Sequence, residues 1–461
     1  MPADMGQPTV LARIDRLPPS RYLIGLVARI SSGGWFEFYE LFMPGFISIG
    51  LVKAHIYTLG GGGILNLHSF ASFLASFFFG MFVSNTVLGS LSDRLGRRSI
   101  FVQSMIVYSI SQLTIAFLSN PLAIDLARFI AGLAVGMQLV NNDSYITELT
   151  PRAARGRYMT MAFIFILSAI PAAAFLAAAL VPHAPFGIDG WRIVVAIGAT
   201  SGIAVLFIQR GLPESPRWLE AHGRRAEADK IVTEMEARVT AELGHALPPP
   251  SPAPDATPQT GRWVEMFGRF YLPRTIIISI FQFAQPIAVF GFTAFVPILL
   301  VKEGFSIVHS LDYTAMIVLL APVGAGCASY FAERIERKWQ LVGAALLIGI
   351  SGTVFADSRS VAVVMISGGL IALGTNWLTA IFHPYAAELF PTRIRARAVG
   401  FTFSWSRVSA IFVGYWVADL LAAYGPRAVF AMIAVAMLAI VISIGVFGPR
   451  TNGRSLEILS P

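Results

Sequence analysis

The chain runs to 461 residues, 55% of them hydrophobic and only 13% charged, with a formal net charge of +8. A soluble domain carries about 25% charged residues, so the composition excludes a water-soluble globule and gives an all-α integral membrane protein. The lone cysteine, Cys327, excludes an intramolecular disulfide and a cysteine-only metal cluster.

Apolar length predicts about twelve membrane-spanning helices, since each needs roughly 20 residues. They fall near 22–51, 66–91, 99–119, 122–147, 157–181, 191–210, 274–301, 312–332, 340–356, 360–387, 398–421 and 427–448. Arg13, Arg16 and Arg21 precede the first span without a small-residue cleavage site, which reads as a cytoplasmic anchor. The polar interval 211–273 separates six spans from six, so the expected units are 1–210, a central loop 211–273, and 274–461. The loop opens with Pro213-Glu214-Ser215-Pro216-Arg217-Trp218-Leu219 and continues as a charged, helix-like stretch from Arg224 to Arg238. It then reaches Pro248-Pro249-Pro250-Ser251-Pro252-Ala253-Pro254, an extended linker that cannot form a core.

Arginine placement sets the expected orientation. Four short loops carry three basic residues each: Arg94, Arg97 and Arg98; Arg152, Arg155 and Arg157; Arg334, Arg337 and Lys338; Arg393, Arg395 and Arg397. Counting spans puts all four on the side of the N-terminus and the central loop, so both termini are expected in the cytoplasm. The basic excess is then a topology signal, and no nucleic-acid partner is needed to explain it.

Charges inside the spans are the candidate functional groups, because a charge at bilayer depth costs about 3 kcal/mol on insertion scales. Glu37 and Glu40 lie near the middle of the first span and point to broadly the same side. Both ionised, at ~6 Å they would repel by about 3 kcal/mol. A shared proton, or an arginine from another helix, resolves the conflict; for Glu37 the choices are a cavity-facing role or a pair with Arg29. Asp143, beside Asn141 and Asn142 in the fourth span, is either a second proton site or polar lining. Arg407 stands ~14 Å inside the eleventh span and needs an anion, either substrate or a protein carboxylate such as Glu37 or Asp143. Gln282 and Gln285 in the seventh span, with Asn376, Trp377 and Tyr385 in the tenth, suit a small ring-bearing or carboxylated molecule; helix packing is the alternative for each. His383 and His68 are read as structural first and as coupling groups second.

An internal repeat runs through the chain. Asp93-Arg94-Leu95-Gly96-Arg97-Arg98 is echoed by Glu333-Arg334-Ile335-Glu336-Arg337-Lys338 at an offset of 240. Glu148-Leu149-Thr150-Pro151 with Arg155 is echoed by Glu388-Leu389-Phe390-Pro391 with Arg395 at the same offset, and Tyr145 matches Tyr385. Two similar halves facing the same way imply a site between them near the midplane. The repeated loops read as a cytoplasmic gate built from Gly89, Asp93, Arg94, Arg97, Glu148, Arg155, Glu333, Glu388 and Arg395. Gly89 permits close helix approach, and the pairs Glu148–Arg155 and Glu388–Arg395 are expected to form and break.

Gly89-Ser90-Leu91-Ser92-Asp93-Arg94-Leu95-Gly96-Arg97-Arg98 resembles the loop motif between the second and third helices of the major facilitator superfamily. Arg128-Phe129-Ile130-Ala131-Gly132, Pro213 to Leu219 and Gly453-Arg454-Ser455-Leu456-Glu457 are similar to motifs of its sugar-porter branch, in the expected order. The spacing of Gln282 and Gln285 departs from the paired glutamines of true sugar porters. Gly291 to Ser306 looks more like organic-acid and nicotinate carriers, and Glu37-Phe38-Tyr39-Glu40 is similar to the acidic motif of metabolite:proton symporters.

The resemblance implies two six-helix bundles related by a pseudo-two-fold axis and working by alternating access. Glu40 then matches the symporters' first-helix acid, Arg128 its fourth-helix partner, and Arg407 the eleventh-helix arginine of organic anion transporters. Proton-coupled symport of a small organic anion, aromatic or heterocyclic, is the expected function, in the inner membrane of a bacterium and by a monomer. The rivals are a sugar or polyol symporter, a multidrug effluxer and a transporter-like sensor. The expected partners are substrate, protons and the lipid bilayer. No nucleotide-binding loop or catalytic triad pattern stands out, so neither an enzyme nor a cofactor or metal site is expected.

Overall fold

The computed structural model describes residues 9–60, 66–88, 91–250, 262–332 and 334–452. The gate candidates Gly89 and Glu333, the proline cluster from Ser251 onward and the Gly453–Glu457 tail motif lie outside the described residues. Among those described the chain is helical, with one isolated bridge, Thr58 to Ser69.

Twelve helices form the body, as expected where a backbone in lipid must satisfy its polar groups within each segment. They are α1 (Arg21–Lys53), α2 (Phe70–Leu88), α3 (Arg97–Phe117), α4 (Pro121–Leu149), α5 (Arg155–Leu180), α6 (Gly190–Ile208), α7 (Leu272–Thr293), α8 (Ile307–Phe331), α9 (Arg337–Asp357), α10 (Val361–Glu388), α11 (Arg393–Tyr424) and α12 (Pro426–Phe447). Eleven are long and apolar enough to cross a membrane by composition alone. The remaining one is α1, whose hydropathy is lowered by Glu37 and Glu40.

Local chemistry fixes the helix starts. The Ser20 hydroxyl accepts from Leu23 N at α1, while the Glu242 carboxylate accepts from Arg21 N at 2.6 Å and Tyr22 N at 3.1 Å. At α4, Asn120 caps Ala123 N and Pro121 takes the first turn, where its missing N–H costs nothing.

Helices α1–α6 and α7–α12 pack as two bundles with matching internal contacts: α2 and α3 lie against α4, and α8 and α9 against α10. The bundles meet through α2 with α11, α5 with α8, and α1 with the Val296–Lys302 helix that follows α7. Aromatic rings close this interface at the end opposite the basic loops. Phe290 lies 6.0 Å from Phe42 and 4.5 Å from Phe78, and Phe70 meets Phe295 at 5.7 Å.

At the basic-loop end the central loop forms the helices Pro216–Ala221 and Arg225–Leu243, and a short helix, Val10–Asp15, precedes α1. These join through Val10, Ile14, Leu219, Ala228 and Val232. Arg13 reaches Asp229 at 3.1 Å and Glu236 at 2.7 Å, and Arg16 reaches Glu236 at 2.7 Å.

Candidate functional site

Glu40 and Arg128 form an ion pair between α1 and α4, with side chains 0% and 1% exposed. Taking two charges out of water costs several kcal/mol per ion, which only good geometry and further hydrogen bonds offset. Arg128 lies 4.5 Å from the Phe73 ring and 4.3 Å from the Phe77 ring, both on α2, and its Nε donates to Phe73 O at 3.4 Å. The other Glu40 oxygen accepts from the Tyr108 hydroxyl of α3 at 3.3 Å. Gly132, one turn beyond Arg128, makes this approach workable, because a Cβ there would collide with the Phe77 carbonyl. Without that closeness the phenylalanine rings could not flank the guanidinium.

Glu37 is also buried and accepts from Asn142 Nδ2 at 3.1 Å. The expected alternative, a pair with Arg29, is not formed: Arg29 donates instead to Gly211 O at 3.3 Å, at the basic-loop end. Glu37 borders a small cavity with Gly33, Phe36, Ser104, Tyr108 and Gln138. Ser104 donates to Gln138 Oε1, leaving the buried Gln138 Nε2 without a partner. Asp143 is a neighbouring carboxylate of Glu37.

Asp143 and His383 occupy equivalent places, 240 residues apart, on α4 and α10. Both are exposed, whereas the adjacent Asn142 and Phe382 are buried. These faces match across the repeat and are open rather than packed against a neighbouring helix. Arg407 on α11 is buried, with its guanidinium 5.0 Å from the Phe403 ring, and Phe403 in turn lies 6.3 Å from the His383 ring. The alternative of an ion pair with Glu37 or Asp143 is not realised; among the described residues Arg407 makes no ion pair, and its buried Nε has no hydrogen-bond partner.

Asn376, Thr379 and His383 share one stripe of α10. Gln285 donates to Thr379 at 3.0 Å, tying α7 to that stripe, and Gln282 is buried on α7. Asn376 donates to Ala372 O within its own helix at 2.9 Å.

Two of the residues expected to bind substrate have other partners. Trp377 points away from the Asn376 stripe, donating to Gln340 on α9 at 3.0 Å and stacking on Phe331. Tyr385 donates to Pro449 O at 3.1 Å. Its repeat mate Tyr145 donates likewise to Pro213 O, so the matched tyrosines each hold the proline that follows their bundle's sixth helix.

The gate residues also pair differently from expectation. Glu148 bonds Arg97 at 3.0 Å and Glu388 bonds Arg337 at 2.9 Å, a repeated pair at an offset of 240. Arg155 makes no ion pair among the described residues, and Arg395 donates to Phe390 O at 3.1 Å. The first turns of α3 and α9 lie beside the ends of α4 and α10, so Arg97 and Arg337 reach the glutamates. Arg97 also meets Asp93 at 2.8 Å, while Arg94 is exposed.

Several contributors were not singled out as site residues from the sequence, although Glu214, Ser215 and Trp218 belong to the Pro213–Leu219 motif. Glu214 accepts from Arg97 N at 2.9 Å and Arg98 N at 3.1 Å, Ser215 donates to Glu148, and Trp218 donates to Asp93 O at 2.7 Å. Tyr108, Gln138 and the buried Asp125, bonded by Tyr57 at 2.7 Å, complete the set.

Three comparisons with known proteins fit this arrangement. The niacin transporter NiaP of Acinetobacter baylyi is 27% identical, covering 97% of this chain and 99% of its own. The arabinose-proton symporter of Bacillus subtilis is 27% identical over 86% of this chain and 88% of its own. The xylose transporter XylE of E. coli, in a partially occluded inward open conformation, superimposes with a TM-score of 0.75 at 18% identity, over 95% of this chain and 100% of its own. The family described as "Sugar (and other) transporter" matches residues 65–461, and the chain belongs to it: a multi-pass membrane transporter of the major facilitator fold, not an enzyme.

Proposed function

We propose that the protein is a proton-coupled symporter of a small organic anion, with an aromatic or heterocyclic carboxylate as the best-fitting class. Arg407 carries this reading: a buried cation beside the inter-bundle space, with no carboxylate of the described residues paired to it. A cation so placed is stabilised when an anion arrives. Phe403 beside Arg407, His383 beyond it, and Gln282 and Gln285 on α7 suit a flat, hydrogen-bonding ring, and the niacin transporter among the relatives supports the same class.

Coupling runs through Glu40 and Arg128. A proton on Glu40 neutralises the pair, the α1–α4 contact loosens, and the bundles rock between two states. Glu37 and Asp143 serve the proton path, and the repeated pairs Arg97–Glu148 and Arg337–Glu388 brace the basic-loop end. That end faces the cytoplasm of a bacterial inner membrane by the arginine asymmetry, and one chain suffices.

A sugar is the second reading, favoured by the amides of α7 and by the arabinose-proton symporter among the relatives. Uptake of labelled nicotinate, benzoate and arabinose into proteoliposomes under an inward proton gradient separates the two. Nicotinate or benzoate accumulation, collapsed by a protonophore, is the expected result; accumulation of arabinose alone overturns the anion reading.

A further inference from the structure

Asp143, Glu37, Tyr108 and Glu40 lie in sequence through the first bundle, and the proposed coupling does not by itself say how a proton passes among them. On α1, Glu37 and Glu40 are separated by three residues, ~4.5 Å of helix rise, and Asp143 follows the Asn142 that donates to Glu37 at 3.1 Å. Asp143 is exposed near the basic-loop end. Glu37 is buried one step inward. Beyond it lies the cavity shared by Glu37, Tyr108 and Gln138, with room for about one water. Tyr108 borders the cavity and also donates to Glu40 at 3.3 Å.

The cavity has the polar partners a water needs. Gln138 Nε2 is a buried donor with no partner, Glu37 presents a carboxylate, and Tyr108 presents a hydroxyl oxygen whose proton is committed to Glu40. The other titratable groups nearby are accounted for: Tyr39 donates to Val194 O at 2.7 Å, and Arg128 is held by Glu40 and the two phenylalanines.

We infer that Tyr108 and a water bound at Gln138 relay the proton between Glu40 and Glu37, making a proton path that runs inside the first bundle and leaves it at Asp143. This rests on Glu40 being the coupling site. On release, Glu40 gives its proton to the Tyr108 oxygen as the Tyr108 hydroxyl proton passes to the water. The water passes one of its own protons to Glu37, and Glu37 delivers to Asp143 and the basic-loop end. Tyrosine and water end neutral, one carboxyl group is exchanged for another, and reversal of the hydroxyl hydrogen bonds resets the chain. The bundles are closed at the opposite end in this structure, and the path leads to the other.

The test uses the full chain in nanodiscs, without substrate, with time-resolved infrared detection of carboxyl protonation after a pH jump. The band absent from Glu40→Gln identifies Glu40. Tyr108→Phe keeps the ring, and Gln138→Leu removes the water's donor. Both should slow proton transfer at Glu40 by about a hundredfold, the lower end of what a positioned proton donor contributes. A purely structural role would shift the melting temperature and leave that rate unchanged. Wild-type rates in both variants, with the Glu40 band present, overturn the relay alone. A wild-type spectrum with no band assignable to Glu40 overturns the coupling reading instead.

Discussion

The Glu40 carboxylate and the Arg128 guanidinium meet across the α1–α4 contact with 0% and 1% of their side chains exposed. Neither has water to fall back on, so each is stable there only because of the other. Removing one partner should therefore cost far more than the pair is worth, about 3–5 kcal/mol. Arg128→Ala is expected to lower the melting temperature sharply, and Glu40→Gln to abolish uphill uptake while downhill exchange persists. Replacing both by apolar residues of similar volume should recover most of the lost stability without restoring coupling. Undiminished accumulation by Glu40→Gln would remove it from the coupling role.

Arg407 gives a prediction about charge sign. A hydrogen bond to a charged group contributes about 1.5–3 kcal/mol, so Arg407→Ala should raise KM for an anionic substrate by roughly 10–100-fold. A neutral amide analogue of the same shape should be affected only a few-fold. Equal losses for both would place Arg407 outside the binding site.

The repeated pairs predict a rescue by exchange of charge. Arg97→Glu alone places a third acid beside Glu148 and Asp93 and should unseat the Pro213–Leu219 segment, which hydrogen exchange at 213–219 would report. Adding Glu148→Arg should restore much of the protection, because contacting residues are energetically coupled. Additive losses in the double variant would show that Arg97 and Glu148 hold the segment through separate contacts with Glu214 and Ser215 and not through their own pair.

Helix number, the repeat and the acids of α1 are legible in the chain because each leaves a regular mark: apolar length, a fixed offset, a charge in the wrong solvent. Partner choice is not. The spacing put Arg155 beside Glu148, seven residues away, yet the loop before α3 delivers Arg97 from another helix. Tyr385 and Trp377 looked like ring-binding residues because aromatics on a polar helix do. Their directions depend on which neighbour each stripe of α10 meets. Tyr108 and Gln138 were invisible for a related reason: a tyrosine or glutamine in a span gains meaning only from the carboxylate opposite.

A pH prediction follows from the helix Val10–Asp15. Burial pushes the Glu236 carboxyl up, but hydrogen bonds and charge from Arg13 and Arg16 outweigh it and hold the group below its ordinary value of about 4.5. A carboxyl held lower when docked than when released adds stability above the released pKa and loses it as pH falls through the docked one. Docking should therefore be constant from neutral pH down to about 4.5 and weaken below it. Amide exchange at residues 10–15 would follow this. Arg13→Gln should loosen the helix already at pH 7, by about 1 kcal/mol for a partly exposed pair.

Gly45 tests alternating access most directly. It faces the start of the connection after α7, where a Cβ would stand 2.6 Å from Ala294 Cα and 2.6 Å from Thr293 O. Both are backbone atoms and cannot rotate away, so Gly45→Ala must push α1 from α7 at the closed end. If the transport cycle includes a state with that end open, the two helices separate there and the added methyl meets nothing. The substitution then penalises only the closed state, by about 1–3 kcal/mol for overpacking, which is roughly 5–150-fold in the equilibrium. In a Cys327→Ser background, a cysteine at Phe290 should be labelled faster by a membrane-impermeant maleimide when Gly45→Ala is added. A lower melting temperature with unchanged labelling would mean that the bundles absorb the collision locally, and that this contact does not part during transport.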